Sequence, residues 1–123
     1  MELAGNLMQK FIDPQSAVDF MIANSAKYAE AEANKVFMEE LRKTIKAEEM
    51  KNAEAYGNGE YKTAAMQERE AYASPRYKEH LEALRQAVSE RERLRWLLIA
   101  CQERIAVWRS MEASNRHVEK ATL

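Results

Sequence analysis

Residues 13–59 read DPQSAVDFMIANSAKYAEAEANKVFMEELRKTIKAEEMKNAEAYGNG, and this stretch decides the fold. The Asp13 carboxylate can accept backbone N–H groups as an N-cap, and Pro14 fits the first position of a helix. No Gly or Pro follows until Gly57, and the Gly-Asn-Gly of 57–59 is typical of a helix end. The stretch therefore predicts one helix over 14–56, about 63 Å long.

So long a helix needs a packing partner, because isolated helices are marginally stable in water. Apolar residues recur along it at steps of three or four, which predicts one inward face. That predicted face consists of Val18, Ile22, Ala26, Ala29, Ala33, Phe37, Leu41 and Ile45.

The rest of the chain supplies the partner. Ser74-Pro75 repeats the cap-and-proline signal and predicts another long helix over 75–120, while 60–73 predicts a short helix. The segment 1–12 carries apolar side chains spaced so that one side of it can dock on a neighbour. We therefore expect an all-α single domain, about 80% helical, in which the two long helices form a coiled-coil-like antiparallel hairpin accompanied by the short third helix. The residues of 1–12 with this docking spacing are Leu3, Leu7, Met8, Phe11 and Ile12.

Composition supports a folded chain with no strong field of its own. Of 123 residues, 46% are hydrophobic and 32% charged, and the net charge is −1. Residues 1–73 hold 9 Lys+Arg against 13 Asp+Glu, whereas 74–123 hold 10 against 7. An acidic helix paired with a basic helix explains this asymmetry, and we favour that interpretation over an external anionic partner.

The 75–120 helix shows two apolar patterns. Tyr77, Leu81, Leu84 and Val88 follow coiled-coil spacing, but the same register then reaches Arg91 and Arg95. The apolar residues move instead to a stripe shifted by a fraction of a turn. This displacement predicts a stutter in the repeat near 90–94. The shifted stripe consists of Leu94, Leu98, Cys101, Ile105 and Trp108.

A second apolar side of this helix predicts an interface. Trp96, Ile99 and Val107 lie opposite Leu94 and Leu98, so a two-helix hairpin would leave them in water. Monomers seldom expose large apolar patches. We therefore predict that these three residues bind a second copy of the chain or a constitutive protein partner.

The sequence carries no catalytic signature. It lacks a Gly-rich phosphate loop and the metal-binding H-E-x-x-H, C-x-x-C and E-x-x-H motifs, so we predict no enzyme activity, cofactor or metal. His80 and His117 are expected at the surface, and Cys101 is expected to be a buried, inert thiol. No signal peptide or membrane span is recognisable, which predicts a cytoplasmic protein.

Arginines offer an alternative function. Arg91, Arg95, Arg109 and Arg116 share a broad face of the 75–120 helix and could track the phosphates of a nucleic acid. We favour internal ion pairs instead. The expected partners of these arginines on the 14–56 helix are Glu39, Glu40, Glu48 and Glu49.

Three stretches of helical sequence resemble those of small bacteriophage proteins. They are FMIANSAKYAEAEANKVFMEELRK, SPRYKEHLEALR and RLRWLLIACQERIAVWRSMEASNRH, and the resemblance covers about residues 16–117. The resemblance implies a setting among early-region accessory proteins, some associated with recombination, and it assigns no functional residue. We expect a non-enzymatic protein–protein interaction module that acts as an accessory or inhibitor of a host or phage complex. The alternative is a recombination-type accessory protein that binds nucleic acid through the arginine face of the 75–120 helix.

Overall fold

The computed structural model describes residues 13–122, which form three helices: α1 (Pro14–Tyr56), α2 (Ala64–Ala73) and α3 (Pro75–Thr122). Of the described residues, 92% are helical and none lies in a strand. The helix α1 packs against α3, which confirms the predicted all-α hairpin. The predicted docking of segment 1–12 lies outside the described residues.

The helices begin at side-chain caps. At the start of α1, Asp13 accepts hydrogen bonds from the Gln15 backbone N (3.3 Å) and the Ser16 hydroxyl (2.9 Å). At the start of α3, the Ser74 hydroxyl accepts one from the Tyr77 backbone N at 3.2 Å. The helix α2 begins later than the predicted residue 60, because Thr63 is its N-cap. Local capping chemistry thus determines these boundaries.

The turn after α1 requires a left-handed backbone at two positions and the absence of a side chain at a third. Asn58 and Gly59 adopt the left-handed conformation, with φ of 53° and 79°. Gly57 is needed for space, since a Cβ there would lie 2.5 Å from the Ala53 carbonyl oxygen and 2.5 Å from Tyr61 Cδ2. The predicted break at 57–59 is confirmed.

The chain divides into two compact units. We call residues 30–91 the loop unit, because they contain the turn, α2 and the facing parts of α1 and α3. The described residues of the other unit, which we call the terminal unit, are 13–29 and 92–122.

Polar contacts join α1 to α3 in the loop unit. The Glu32 carboxylate pairs with Arg91, and Glu48 pairs with Arg76 at 2.6 Å. As residue numbers rise along α1, those of the partners fall along α3, so the two helices are antiparallel. The short helix α2 is attached to α1 by an ion pair of 2.8 Å between Lys46 Nζ and Glu68.

The inward side of α3 is one continuous row. Its buried and half-buried members alternate at steps of three and four residues, the repeat of a coiled coil. The stutter predicted near 90–94 is therefore wrong. The apolar pattern assigns Leu81 to this row, although Leu81 is 40% exposed. It overlooks two true members of the row, His80 and Arg91, because they are polar. The inward row of α3 comprises Tyr77, His80, Leu84, Ala87, Arg91, Leu94, Leu98, Cys101 and Ile105.

The predicted inward face of α1 is also largely wrong. Ile22 is 71% exposed and Phe37 is 60% exposed, and only Leu41 and Ile45 of the predicted face are half-buried or buried. The predicted face advances mostly by four residues at each step, whereas the seam of two packed helices advances by an average of about 3.5 residues. The observed inward row of α1 comprises Ala17, Met21, Asn24, Tyr28, Ala31, Lys35, Met38, Ile45 and Glu49.

His80 corrects another prediction, since it is 7% exposed rather than at the surface. Its Nε2 lies 2.7 Å from the Met38 carbonyl oxygen. Because a carbonyl oxygen can only accept a hydrogen bond, Nε2 carries the ring N–H and donates this hydrogen bond. The ring thus tethers α3 to α1. Cys101, by contrast, is fully buried as predicted, and burial raises the pKa of its thiol, which disfavours the reactive thiolate.

Candidate interaction surface

An apolar row lies on the side of α3 opposite its inward row, in the terminal unit. Trp96 is 59% exposed and Val107 is 46% exposed, as expected from their positions, whereas Ile99 is half-buried. A large indole in water is unfavourable, because burial of such a side chain contributes roughly 1.5–3 kcal/mol. The role of these residues in binding stays a prediction.

This exposed row is longer than the sequence indicated. Met111 and Val118 are each 60% exposed, and Ala100 is exposed between Trp96 and Val107. The spacing of these residues keeps them on one side of the helix. We call Trp96, Ala100, Val107, Met111 and Val118 the outer row of α3. Prediction missed its last part because the single apolar residues there alternate with polar ones.

A shallow cavity lies at the middle of the outer row. It has a volume of about 320 Å³ and is lined by Ala100, Glu103, Arg104 and Val107. Two of its lining residues are apolar, one is negatively charged and one is positively charged. A small apolar side chain of a partner fits such a site, with polar groups at its rim.

Arg95 contacts the residue at one end of the outer row, Trp96. Its guanidinium carbon lies 5.2 Å from the centre of the Trp96 ring, within the range of a cation–π contact. The same guanidinium is 3.4 Å from the Glu92 carboxylate. The charge of Arg95 is therefore already engaged on its own helix.

The arginine face proposed as an alternative site is divided among different partners. Arg91 is half-buried and pairs with Glu32, while Arg116 donates from Nε to the Glu112 carbonyl oxygen at 3.4 Å. Arg109 is exposed. Internal pairing is thus shown for Arg91 across the helices and for Arg95 within α3.

The predicted partners on α1 are wrong. Glu48 and Glu49 both meet Arg76, at 2.6 and 3.6 Å. The carboxylates of Glu39 and Glu40 pair within α1 with Lys35 and Lys43, respectively. The charges of the two helices do not by themselves determine which arginine lies opposite which glutamate. That pairing depends on the register between the inward rows of α1 and α3.

Comparison with models of protein families, with curated proteins and with solved structures finds no match. Among residues 13–122, no helix is long and apolar enough to cross a membrane. In the same part of the chain, no three His, Cys, Asp or Glu side chains are grouped to hold a metal ion.

Proposed function

We propose that this chain is a non-enzymatic, phage-type helical module that binds a protein through the outer row of α3 in the cytoplasm of a bacterial host. The observation that carries the proposal is the exposure of Trp96, Met111 and Val118 on one side of one helix. Tryptophan is enriched among the residues that dominate binding energy at interfaces. The module acts as an accessory or inhibitor of a host or phage complex.

The chemistry of the row defines the kind of partner. A straight helical row with apolar side chains suits the apolar face of a second amphipathic helix, which contacts every third or fourth residue. The cavity at Ala100 and Val107 accepts one small apolar side chain, and Glu103 and Arg104 favour polar or oppositely charged groups beside it.

The test compares wild type with the double variant Trp96→Glu, Val107→Glu. Two carboxylates in a desolvated contact are expected to lower affinity for a partner at least about a hundredfold, while both positions tolerate charge in the free protein because they are exposed. The measurement is capture of proteins from nuclease-treated bacterial lysate on each immobilised protein. Light scattering at about 100 μM reports self-association separately, and a dimer there identifies the partner as a second copy.

Gln102→Glu is the matched control, because Gln102 is exposed on another side of the same helix. It adds one negative charge, as each substitution of the double variant does, and is expected to retain every interaction of the wild type. Unchanged capture and unchanged mass for the double variant, or an equal loss for the control, would contradict the proposal.

Nucleic acid is expected to bind only weakly, with a dissociation constant above about 10 μM at physiological salt. Arg91 and Arg95 already pair with carboxylates, and the chain has a net charge of −1. Fluorescence anisotropy with single-stranded and duplex DNA checks this. Sub-micromolar, salt-sensitive binding that disappears in the variant Arg91→Ala, Arg95→Ala would instead support the nucleic-acid alternative.

A further inference from the structure

The loop unit contains a basic cavity remote in sequence from the outer row of α3. Its volume is about 360 Å³, within the size range of small-ligand sites. Three cations of α1 and two tyrosines line it. These residues are Arg42, Lys43, Lys46, Tyr72 and Tyr77.

Arg42 stands where an inward residue of α1 is expected. The repeat that runs through Met38 and Ile45 places it on the same side of the helix, yet Arg42 is exposed. The neighbouring polar members of that row have partners: Lys35 pairs with Glu39, and Glu49 pairs with Arg76. Within the described part of the chain, Arg42 makes no ion pair. Its guanidinium fork is therefore available to a ligand.

The Tyr77 hydroxyl is a second unused group at the cavity. Tyr77 is only 8% exposed, and its ring packs edge-on against Tyr72 at a centroid distance of 5.2 Å. No hydrogen bond to its hydroxyl is formed within residues 13–122. No fully enclosed side-chain oxygen in that range lacks a partner, so this hydroxyl retains accessible surface, and Tyr77 lines the cavity.

The charges around the cavity leave a positive excess. Lys43 lies 3.2 Å from Glu40, and Lys46 lies 2.8 Å from Glu68. Within each pair the glutamate neutralises the lysine, so the positive charge of Arg42 remains. Lys46 also stands 4.8 Å from the centre of the Tyr72 ring, and its hydrogen bond to Glu68 raises its pKa, which keeps the ammonium charged.

We propose that this cavity binds the phosphate group of a small phosphorylated molecule. Arg42 offers two parallel N–H donors to two phosphate oxygens, and the Tyr77 hydroxyl donates to the third. Lys43 and Lys46 flank the dianion. A carboxylate has only two oxygens and one charge, so it uses fewer of these donors. The exposed Tyr72 side chain contacts the organic part of the ligand.

The test is calorimetric titration of the full chain with phenyl phosphate, inorganic phosphate and benzoate. Saturable binding of one phenyl phosphate per chain is expected, with weaker binding of inorganic phosphate and at least about tenfold weaker binding of benzoate. The absence of saturable phenyl phosphate binding up to about 10 mM, or equal affinity for benzoate, would overturn the proposal.

Two variants locate the site. Arg42→Ala is expected to weaken phenyl phosphate binding at least about tenfold, and Tyr77→Phe, which removes only the hydroxyl, about threefold. Arg85→Ala is the matched control, because Arg85 is an exposed arginine of the same unit that pairs with Glu82. Its affinity should equal that of the wild type. A loss of affinity in Arg85→Ala as large as in Arg42→Ala would reduce the effect to general charge and refute the assignment.

Discussion

Replacement of Leu94 by alanine is expected to lower the free energy of unfolding by about 2–5 kcal/mol. Leu94 is 3% exposed in the inward row of α3, and the shorter side chain would leave a cavity that the helix backbone cannot close. Since small domains have a total stability of about 5–15 kcal/mol, this is the largest single effect we expect. Urea denaturation followed by circular dichroism measures it.

Leu81→Ala is the matched control, since it removes the same atoms from the same helix. Leu81 is 40% exposed, so its loss should cost less than about 1 kcal/mol. The pair of variants also decides between the two patterns of α3: the apolar spacing alone assigns Leu81 to the seam, and the structure assigns His80. Equal costs at the two positions would contradict the observed row.

Replacement of Gly57 by alanine is expected to destabilise the protein by about 1–3 kcal/mol. The added methyl group would lie 2.5 Å from the Ala53 carbonyl oxygen, a backbone atom that can move only with the last turn of α1. The Tyr61 ring on its other side is equally close. The midpoint of thermal unfolding should fall accordingly, by several degrees.

Gly59→Asn provides the comparison, although it adds a larger side chain. The nearest atom to a Cβ at Gly59 is Lys62 Cε at 3.9 Å, and asparagine tolerates the left-handed conformation found there. Its cost should be below that of Gly57→Ala. The opposite order would mean that backbone conformation, and not space, determines the requirement at 57–59.

The sequence predicts helix ends better than helix faces. Asp13-Pro14, Ser74-Pro75 and the glycines at 57–59 act through hydrogen bonds and dihedral angles of nearby residues, so their effect is visible in a single sequence. The inward faces depend on partners far along the chain. Polar residues such as His80 and Arg91 are acceptable in a seam only because Met38 and Glu32 stand opposite.

The same reasoning explains what was predicted of the candidate sites. Trp96 and Val107 were identified because a helix that is apolar on all sides must leave one side uncovered by a single neighbour. The sequence does not indicate the cavity at Arg42 and Tyr77, because the turn and α2 separate these two residues along the chain. Nothing in the local spacing indicates that a tyrosine hydroxyl and a guanidinium without a partner share one space.

The polar contacts of His80 and Arg91 with α1 also restrict which alignments of α1 and α3 are stable. Two rods with a repeating apolar pattern can slide past each other by one repeat of about seven residues and still bury similar side chains. Such a slide in this chain would put Leu84 opposite Glu32 in place of Arg91, and His80 would leave the Met38 carbonyl. A misaligned state would leave the buried His80 ring without its acceptor, at a cost of about 1–3 kcal/mol, and would leave the half-buried charges of Glu32 and Arg91 unpaired. His80 and Arg91 thereby select one native pairing from several that are nearly equivalent in hydrophobic burial.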